Sequence, residues 1–372
     1  MKFVCDKLLL LAAIITATHV APIKSPVITL EGLLLEAEDN EVRITGYDLK
    51  TAIVTSVPAE VEEKGGIVLN ARLFGEIVRK MSGQNVTISV NSGYVATLES
   101  ELSDFEILGS PVSDYPDLPS VEELEFIEID EGILKDMISQ TRFAISDNES
   151  RPIHTGALFE INSGELTVVA VDGFRLALRR ESMKNTDTPS CSFVVPGAAL
   201  SELERISSDD EGTFAITLGA KHIIFSKSNI TLISRRLEGE FLNYKNSIPQ
   251  DRKHQITVDK SEMIKSVERV SVIINDTQLT PLKCLFSDGI AKFYAASAVG
   301  KANDECAIGG NGEDLEIGFN YKYLLDALKA APADEIVFEL TNGITPCVIS
   351  PVDESDSFLY LILPVRLKSY DG

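Results

Sequence analysis

A glycine, an apolar run, a polar turn and a second strand closed by an aspartate make an outline that the chain writes twice at the same interval. In the first third, Gly32 opens Leu33-Leu34-Leu35, the turn is Asp39-Asn40 and the second strand ends at Asp48. In the middle third, Gly156 opens Ala157-Leu158-Phe159, the turn is Asn162-Ser163-Gly164 and the second strand ends at Asp172. The last third is a looser copy: Leu282-Lys283-Cys284-Leu285-Phe286, a Ser287-Asp288-Gly289 turn and a strand from Ala291 to Ala296. Self-similarity at a fixed period marks repeated units, so one domain is written three times.

Each third also carries two helical patterns at matching places. The early ones are Lys7–Thr18, Gly132–Ile145 and Lys260–Ile273; the late ones are Ala71–Met81, Ala198–Ile206 and Tyr321–Ala330. Asn70 and Asn320 stand where an N-cap side chain would satisfy free backbone N–H groups. Alternating runs such as Val86–Val90 and Ile336–Leu340 predict half-buried antiparallel strands. Turn-rich stretches at Pro111–Pro119 and Leu242–Gln250 separate the thirds. The expected fold is α+β, three tandem domains of two helices on antiparallel sheet, bounded at 1–125, 126–249 and 250–372. Each is long enough for its own core.

Composition narrows the function. A net charge of −23 on 372 residues argues against coating nucleic acid by bulk attraction. Cys5, Cys191, Cys284, Cys306 and Cys347 are scattered, which predicts reduced thiols rather than a disulfide framework or zinc site. His19, His154, His222 and His254 lack metal-ligand spacing; no metal or cofactor is expected. Lys2, Lys7 and the apolar Leu8–Ala17 imitate a signal peptide, and Asn85, Asn148, Asn229 and Asn275 sit in sequons. Asp6 interrupts the basic region, however, and the segment falls where the repeat requires its first helix. A cytoplasmic chain with no membrane span is the expectation.

No catalytic constellation emerges. There is no Walker A loop, GxSxG elbow or HExxH. Gly309-Gly310-Asn311-Gly312 precedes an acidic strand rather than a helix, so it reads as a flexible turn and not a phosphate cradle. Asp48 and Asp172 recur at one repeat position, which predicts a structural role in ending a strand and capping a turn. A carboxylate-dependent secreted hydrolase is the rival from the enzyme class. It would require a processed N-terminus and an acidic cleft.

Cations recur on the helices. Arg72 with Arg79, Lys135 with Arg142, Lys322 with Lys329, and Lys265 with Arg269 are each spaced to share one helical face. In so acidic a chain, such strips predict a positive surface assembled from several helices.

Local sequence now adds a resemblance. Val169–Ala177 (VAVDGFRLA), Gly318–Leu328 (GFNYKYLLDAL), Asp114–Pro119 (DYPDLP), Glu149–Ile153 (ESRPI) and the Leu363–Leu367 ending (LPVRL) resemble the sliding clamp, the β subunit of bacterial DNA polymerase III. The likeness covers all but the tail at 368–372. It implies a non-catalytic processivity factor, a head-to-tail homodimer forming a six-domain ring with helices lining the hole. Its partners would be duplex DNA, bound without sequence preference, and a polymerase and clamp loader bound through a short linear motif.

The resemblance also assigns residues. Lys24, Arg72 and Arg151 fall at DNA-contact positions, joining Arg79, Lys135, Arg142, Lys265 and Arg269 from the helical strips. Gly197 and Ala198 stand where the family usually has basic residues, which leaves room for a specialised paralogue serving another polymerase or a mobile element. The partner-peptide pocket would comprise His154, Val171, Gly173, Phe174, Arg175, Leu176, Leu242, Asn320, Tyr323, Leu361, Leu363, Pro364, Val365 and Arg366. The subunit interface would join Asp104, Phe105 and Ile107 to Val272, Ile273 and Lys301. Asp104 and Lys301 invert the family's usual charges there, which predicts reduced mixing with an ordinary clamp.

Overall fold

The computed structural model describes residues 1–119, 125–184, 189–208, 212–275, 280–310, 314–353 and 357–367. The first third runs β1 (Lys2–Asp6), α1 (Lys7–Thr18), β2 (Gly32–Glu38), β3 (Glu41–Tyr47), β4 (Thr51–Glu63), β5 (Gly65–Asn70), α2 (Ala71–Lys80), β6 (Asn85–Val90), β7 (Val95–Ser100) and β8 (Ser103–Leu108). The middle third repeats that order as β9 (Glu125–Asp130), α3 (Glu131–Thr141), β10 (Gly156–Asn162), β11 (Glu165–Val171), β12 (Arg175–Ser182), β13 (Cys191–Pro196), α4 (Gly197–Ile206), β14 (Thr213–Leu218), β15 (His222–Lys227) and β16 (Ile230–Arg235). The last repeats it again: β17 (His254–Asp259), α5 (Lys260–Ser271), β18 (Leu282–Ser287), β19 (Ile290–Ser297), β20 (Gly300–Gly310), β21 (Leu315–Phe319), α6 (Tyr321–Ala330), β22 (Glu335–Leu340), β23 (Cys347–Pro351) and β24 (Phe358–Ile362). Among the described residues, every third is strand, helix, four strands, helix, three strands.

Local chemistry explains the shared outline. Asp6, Asn70, Asp259 and Asn320 cap α1, α2, α5 and α6 with side-chain oxygens that accept from first-turn N–H groups, satisfying donors the helix cannot. The recurring aspartates close hairpins. Asp48 Oδ1 accepts from Lys50 N at 2.8 Å and Thr51 N at 2.6 Å, and Asp172 Oδ1 accepts from Phe174 N at 2.8 Å and Arg175 N at 3.0 Å. In the third copy Ser297 Oγ accepts from Val299 N at 3.3 Å. The hydroxyl does the same job more weakly, which is why the last third matches the outline loosely.

The chain forms two compact units, 1–132 with 201–236, and 133–200 with 237–372. In the first, the ladder runs β8-β7-β6-β1-β4-β16-β15-β14-β9, with β3, β2 and β5 continuing from β4. One face of this sheet and helices α1 and α2 bury Phe3, Leu10, Ile14, Leu33, Leu35, Ile44, Phe74 and Val78. The helix-averted face holds a smaller cluster of Leu34, Tyr47, Ala52, Val68, Tyr115 and Ile233. In the second unit the ladder runs β13-β10-β11-β12-β24-β23-β22-β17-β20-β19-β18-β21.

Two joints therefore splice strands from different thirds. Within the first unit β4 pairs with β16, Thr51 opposite Ser234 and Ala52 opposite Ile233. Within the second, β12 pairs with β24, Arg175 opposite Ile362 and Leu176 opposite Leu361. Their helix-averted faces are apolar and covered by the turn-rich connections, which contribute Tyr115 to one cluster and Tyr244 to the other.

Some sequence expectations need correcting. The helix from Gly132 gives way after Thr141 to a 3-10 turn at Arg142–Ala144, and the helix from Lys260 stops at Ser271. Gly309 and Gly310 are not a flexible turn. They pair with Thr257 and Ile256 as the end of β20, and a Cβ at Gly310, whose φ is +89°, would sit 2.0 Å from Gln255 O. The remainder of that glycine run, and the tail at 368–372, lie outside the described residues. Lys2–Thr18, which imitates a signal peptide, forms β1 and α1 and supplies Phe3, Cys5, Leu10 and Ile14 to the core.

Candidate functional site

A cluster of aromatic and charged side chains in the second unit surrounds Arg175. The turn at Asp172-Gly173-Phe174, with Gly173 at φ +94°, delivers Arg175 to the start of β12. Its Nε donates to Asp172 Oδ2 at 2.9 Å and its Nη1 to Asp326 Oδ2 at 2.5 Å. The guanidinium lies 4.4 Å from the Tyr323 ring centroid and 5.4 Å from that of Phe143. A bidentate, stacked arginine of this kind is rigid. It holds Tyr323 stacked against Phe174, their centroids 6.1 Å apart and their planes 25° from parallel, and leaves Phe174 59% exposed. Burial pushes the Tyr323 phenol above its ordinary pKa, so it stays a neutral donor.

An apolar bed lies beside this cluster. Val171, Leu176 and Leu361 are buried with Leu158, Val169, Leu178, Val194 and Tyr244, and Ile153, Leu237 and Phe241 pack against them. Leu242 and Leu363 stay exposed at the surface. Leu363 N donates to Phe174 O and Val365 N to Gly318 O, both at 2.8 Å, which seats the C-terminal segment with Pro364 and Arg366. His154 stands edge-on to Phe241 at 5.5 Å. Burial, and then the Arg151 charge, lower its pKa, so the imidazole is neutral at pH 7. Asn320 is occupied in capping α6, accepting from Lys322 N at 3.0 Å.

Of the predicted pocket, Phe174, Tyr323 and Arg175 thus come together, Leu363 is tied to Phe174 through the backbone, and Val171, Leu176 and Leu361 are buried in the apolar cluster of the helix-averted face. Sequence reasoning missed Asp326, Phe143 and Phe241. Asp326 lies one helical turn after Tyr323 on α6, so the spacing of the two could have signalled it.

The helix cations divide into two kinds. In the first unit Lys24, Arg79 and the neighbouring Lys80 are exposed and have no ion-pair partner among the described residues. Arg72 has its side chain 84% exposed and reaches Glu76 only at 3.6 Å. Helix α1 offers no cation there, because Lys7 Nζ donates to Met81 O and the outward positions are Leu8, Leu9, Ala12 and Ile15. In the second unit Arg151 and Arg142 are exposed and Lys135 is half-buried. On α5 and α6 the cations are committed: Lys265 to Glu262 at 2.8 Å, Lys329 to Glu268 at 2.7 Å, and Arg269 to Asp304. Arg269 holds the Asp304 carboxyl down to about 2.

The predicted interface residues occupy surface edges. Phe105 and Asp104 are exposed on β8, and Ile107 packs partly against the domain core. Val272 is 82% exposed just past α5, Ile273 follows it, and Lys301 is exposed on β20.

Three α+β domains of one build, spliced edge to edge through their sheets and carrying surface cations on helices, define a clamp-type protein. Family models agree throughout: DNA polymerase III beta subunit N-terminal domain at residues 1–119, central domain at 128–243 and C-terminal domain at 245–366. A beta sliding clamp from Halalkalibacterium halodurans is 34% identical over 98% of this chain and 100% of its own length. A solved sliding clamp from Bacillus subtilis superposes with TM-score 0.95 at 31% identity, covering 99% of this chain and 100% of that one. One from Pseudomonas aeruginosa bound to griselimycin gives 0.94 at 26%, with the same coverage. The chain belongs to the DNA polymerase III beta subunit family, the sliding clamps. It is a non-catalytic processivity subunit rather than an enzyme. No helix among the described residues is long and apolar enough to cross a membrane.

Proposed function

We propose that two copies of this chain close head to tail around duplex DNA and hold a polymerase to its template in the cytoplasm. The observation that carries this reading is the set of cations Lys24, Arg79 and Lys80, exposed and without an ion-pair partner among the described residues, on a chain of net charge −23. An acidic protein repels phosphate at long range, so its few free cations act only at contact. Topological linkage then replaces affinity, and weak, sequence-blind phosphate contacts are what sliding requires. Lys24, Arg72, Arg79 and Arg151 supply most of that contact, with Lys135 and Arg142 behind them; Lys265 and Arg269, already neutralised, add little.

The surface around Phe174, Tyr323 and Leu363 takes a short linear motif from the polymerase or the clamp loader. An apolar bed beside a rigid aromatic pair and a few polar anchors suits leucine and phenylalanine side chains.

Retention on DNA tests the ring. Loaded with a clamp loader and ATP, the protein should co-elute with nicked circular DNA and leave when the circle is cut. Blocking the cut ends should restore retention. Equal retention on open linear DNA would mean static binding, and the sliding reading would be wrong.

A further inference from the structure

The joint of β4 with β16 carries a group of cations that neither the helices nor the Arg175 cluster uses. β15 begins and β16 ends there, beside the turn that precedes β4. Arg235 N donates to Lys50 O at 3.0 Å and Arg236 N to Lys221 O at 2.9 Å, and His222 stands across the ladder from Arg235. Arg236 Nη1 donates to Gly219 O at 3.3 Å. Lys50, Lys221 and Arg235 are exposed and Arg236 is half-buried. None of the four has an ion-pair partner among the described residues. Burial, and then the Arg235 and Lys221 charges, lower the His222 pKa, so both cations lie within electrostatic reach of that ring. Asp48 sits in the same turn, but its Oδ1 accepts from Lys50 N and Thr51 N to close the hairpin. Like charges gathered in this way repel, and an anion meeting them at contact relieves the repulsion.

Placement on the sheet narrows the anion. Residues two apart on a strand share a face. Arg235 follows Ile233 and His222 precedes Ile224, and both isoleucines belong to the helix-averted cluster with Tyr47, Ala52 and Tyr115. The α2 cations Arg72, Arg79 and Lys80 lie on the other side. A duplex held against that helix would have the sheet between itself and this patch, which favours protein over DNA as the occupant.

The repeat supplies a second argument. Arg235 N donates to Lys50 O as Leu363 N donates to Phe174 O, and Thr51 faces Ser234 as Arg175 faces Ile362. Lys50 and Arg235 therefore stand where the other joint shows Phe174 and Leu363, with charge in place of apolar surface. An apolar group is present beside them. Leu49 takes a left-handed φ of +72° where its counterpart Gly173 has +94°, and it is 53% exposed. Leucine is strained in that region and glycine is not, so the turn bears a cost to hold an apolar side chain out in solvent.

We propose that this joint is a docking surface for an acidic protein segment, whose Asp and Glu side chains meet Lys50, Lys221, Arg235 and Arg236 while one apolar residue packs on Leu49. The two guanidinium groups suit carboxylates, which they can bind in a fork. Salt screens contacts this exposed, so the segment binds weakly and exchanges readily. The surface lies within one chain and does not require a closed ring.

The test uses the full chain without DNA. A short fluorescent peptide of Asp and Glu around a central Leu is titrated at several salt concentrations and read by anisotropy. Lys50→Glu with Arg235→Glu should weaken binding at least about tenfold and flatten its salt dependence. Leu49→Gly should weaken it about threefold while melting close to wild type, since glycine accepts the φ of the turn. Circular dichroism melts check that each variant is folded. Unchanged binding in the folded double reversal would overturn the proposal, as would equal binding of a peptide with Asn and Gln in place of its acids. The rival occupant is nucleic acid. A short single strand that binds wild type and is lost from the double reversal, while the acidic peptide fails to bind, would assign the patch to phosphate and overturn the proposal.

Discussion

Arg269 forks onto Asp304, donating from Nε to Oδ2 at 2.5 Å and from Nη2 to Oδ1 at 2.7 Å. The pair ties α5 to β20, and Arg269 also donates to Ser266 Oγ at 3.1 Å. The carboxyl is held from its usual 3.8 down to about 2. A depressed carboxyl stabilises the fold fully above its unfolded pKa, and that contribution is lost as pH falls through the folded one. The third domain should therefore lose stability between about pH 4 and pH 2. Asp304→Asn should be less stable at pH 7 and show a flatter decline in that window, as read by urea denaturation at several pH values. Parallel acid limbs for the two proteins would remove the pair from the account.

The same pair bears on DNA. A cation that meets phosphate releases counterions, and its removal lowers the salt slope of binding by about 1. Arg79→Ala and Lys24→Ala should each show that loss when DNA affinity is measured against salt concentration. Arg269→Ala and Lys265→Ala should leave the slope close to wild type. A full loss of slope on Arg269→Ala would show that the Asp304 partner yields to phosphate.

At the proposed peptide surface, Asp326 orients Arg175, and Arg175 stacks on the Tyr323 ring beside Phe174. Phe174→Ala should weaken a fluorescent peptide bearing Leu and Phe by at least about tenfold, the ordinary cost of a truncated aromatic anchor. Asp326→Asn, which touches no peptide, should weaken it about threefold, with the melting temperature nearly unchanged. Anisotropy titration reads both. Wild-type affinity in Phe174→Ala would place the motif elsewhere.

Glu131 is buried at the start of α3, accepting from Ser208 N at 2.5 Å, from Ser208 Oγ at 3.0 Å and from Lys227 Nζ. Breaking one side of a buried pair costs about 3–5 kcal/mol, so Glu131→Ala should shift urea denaturation by that order. Replacing both, as Glu131→Leu with Lys227→Met, should recover most of it. A double variant as unstable as the single would show that Ser208, rather than Lys227, carries the site.

Period and turn chemistry were legible in the sequence because both are local. Gly32 and Asp48, and Gly156 and Asp172, mark equivalent hairpins, and Asn70 and Asn320 announce their helices within a few residues. The joints were not legible. Thr51 and Ser234 are far apart in the chain, and nothing near either names the other. Charge partners were hidden for the same reason: helical spacing puts Lys265 and Arg269 on one face but is blind to Asp304 arriving from a strand. Gly309 and Gly310 misled by composition, since glycine marks a close backbone approach as readily as a turn. The Arg175 cluster came from likeness to known clamps, and its physical reason, the hold of Asp326 on the guanidinium, emerged only in three dimensions.

Tyr115 and Tyr244 lie over the two in-chain joints like bolted plates, and among the described residues no such connection would cover a joint between two copies. Under tension, an assembly of such parts gives way at its uncovered seam long before a plated one shears. Each subunit would then come away whole, with its spliced sheets undamaged and its edges ready to latch again. In the proposed ring, strain would be released at a chosen place, and whatever opened it would need leverage at only one point.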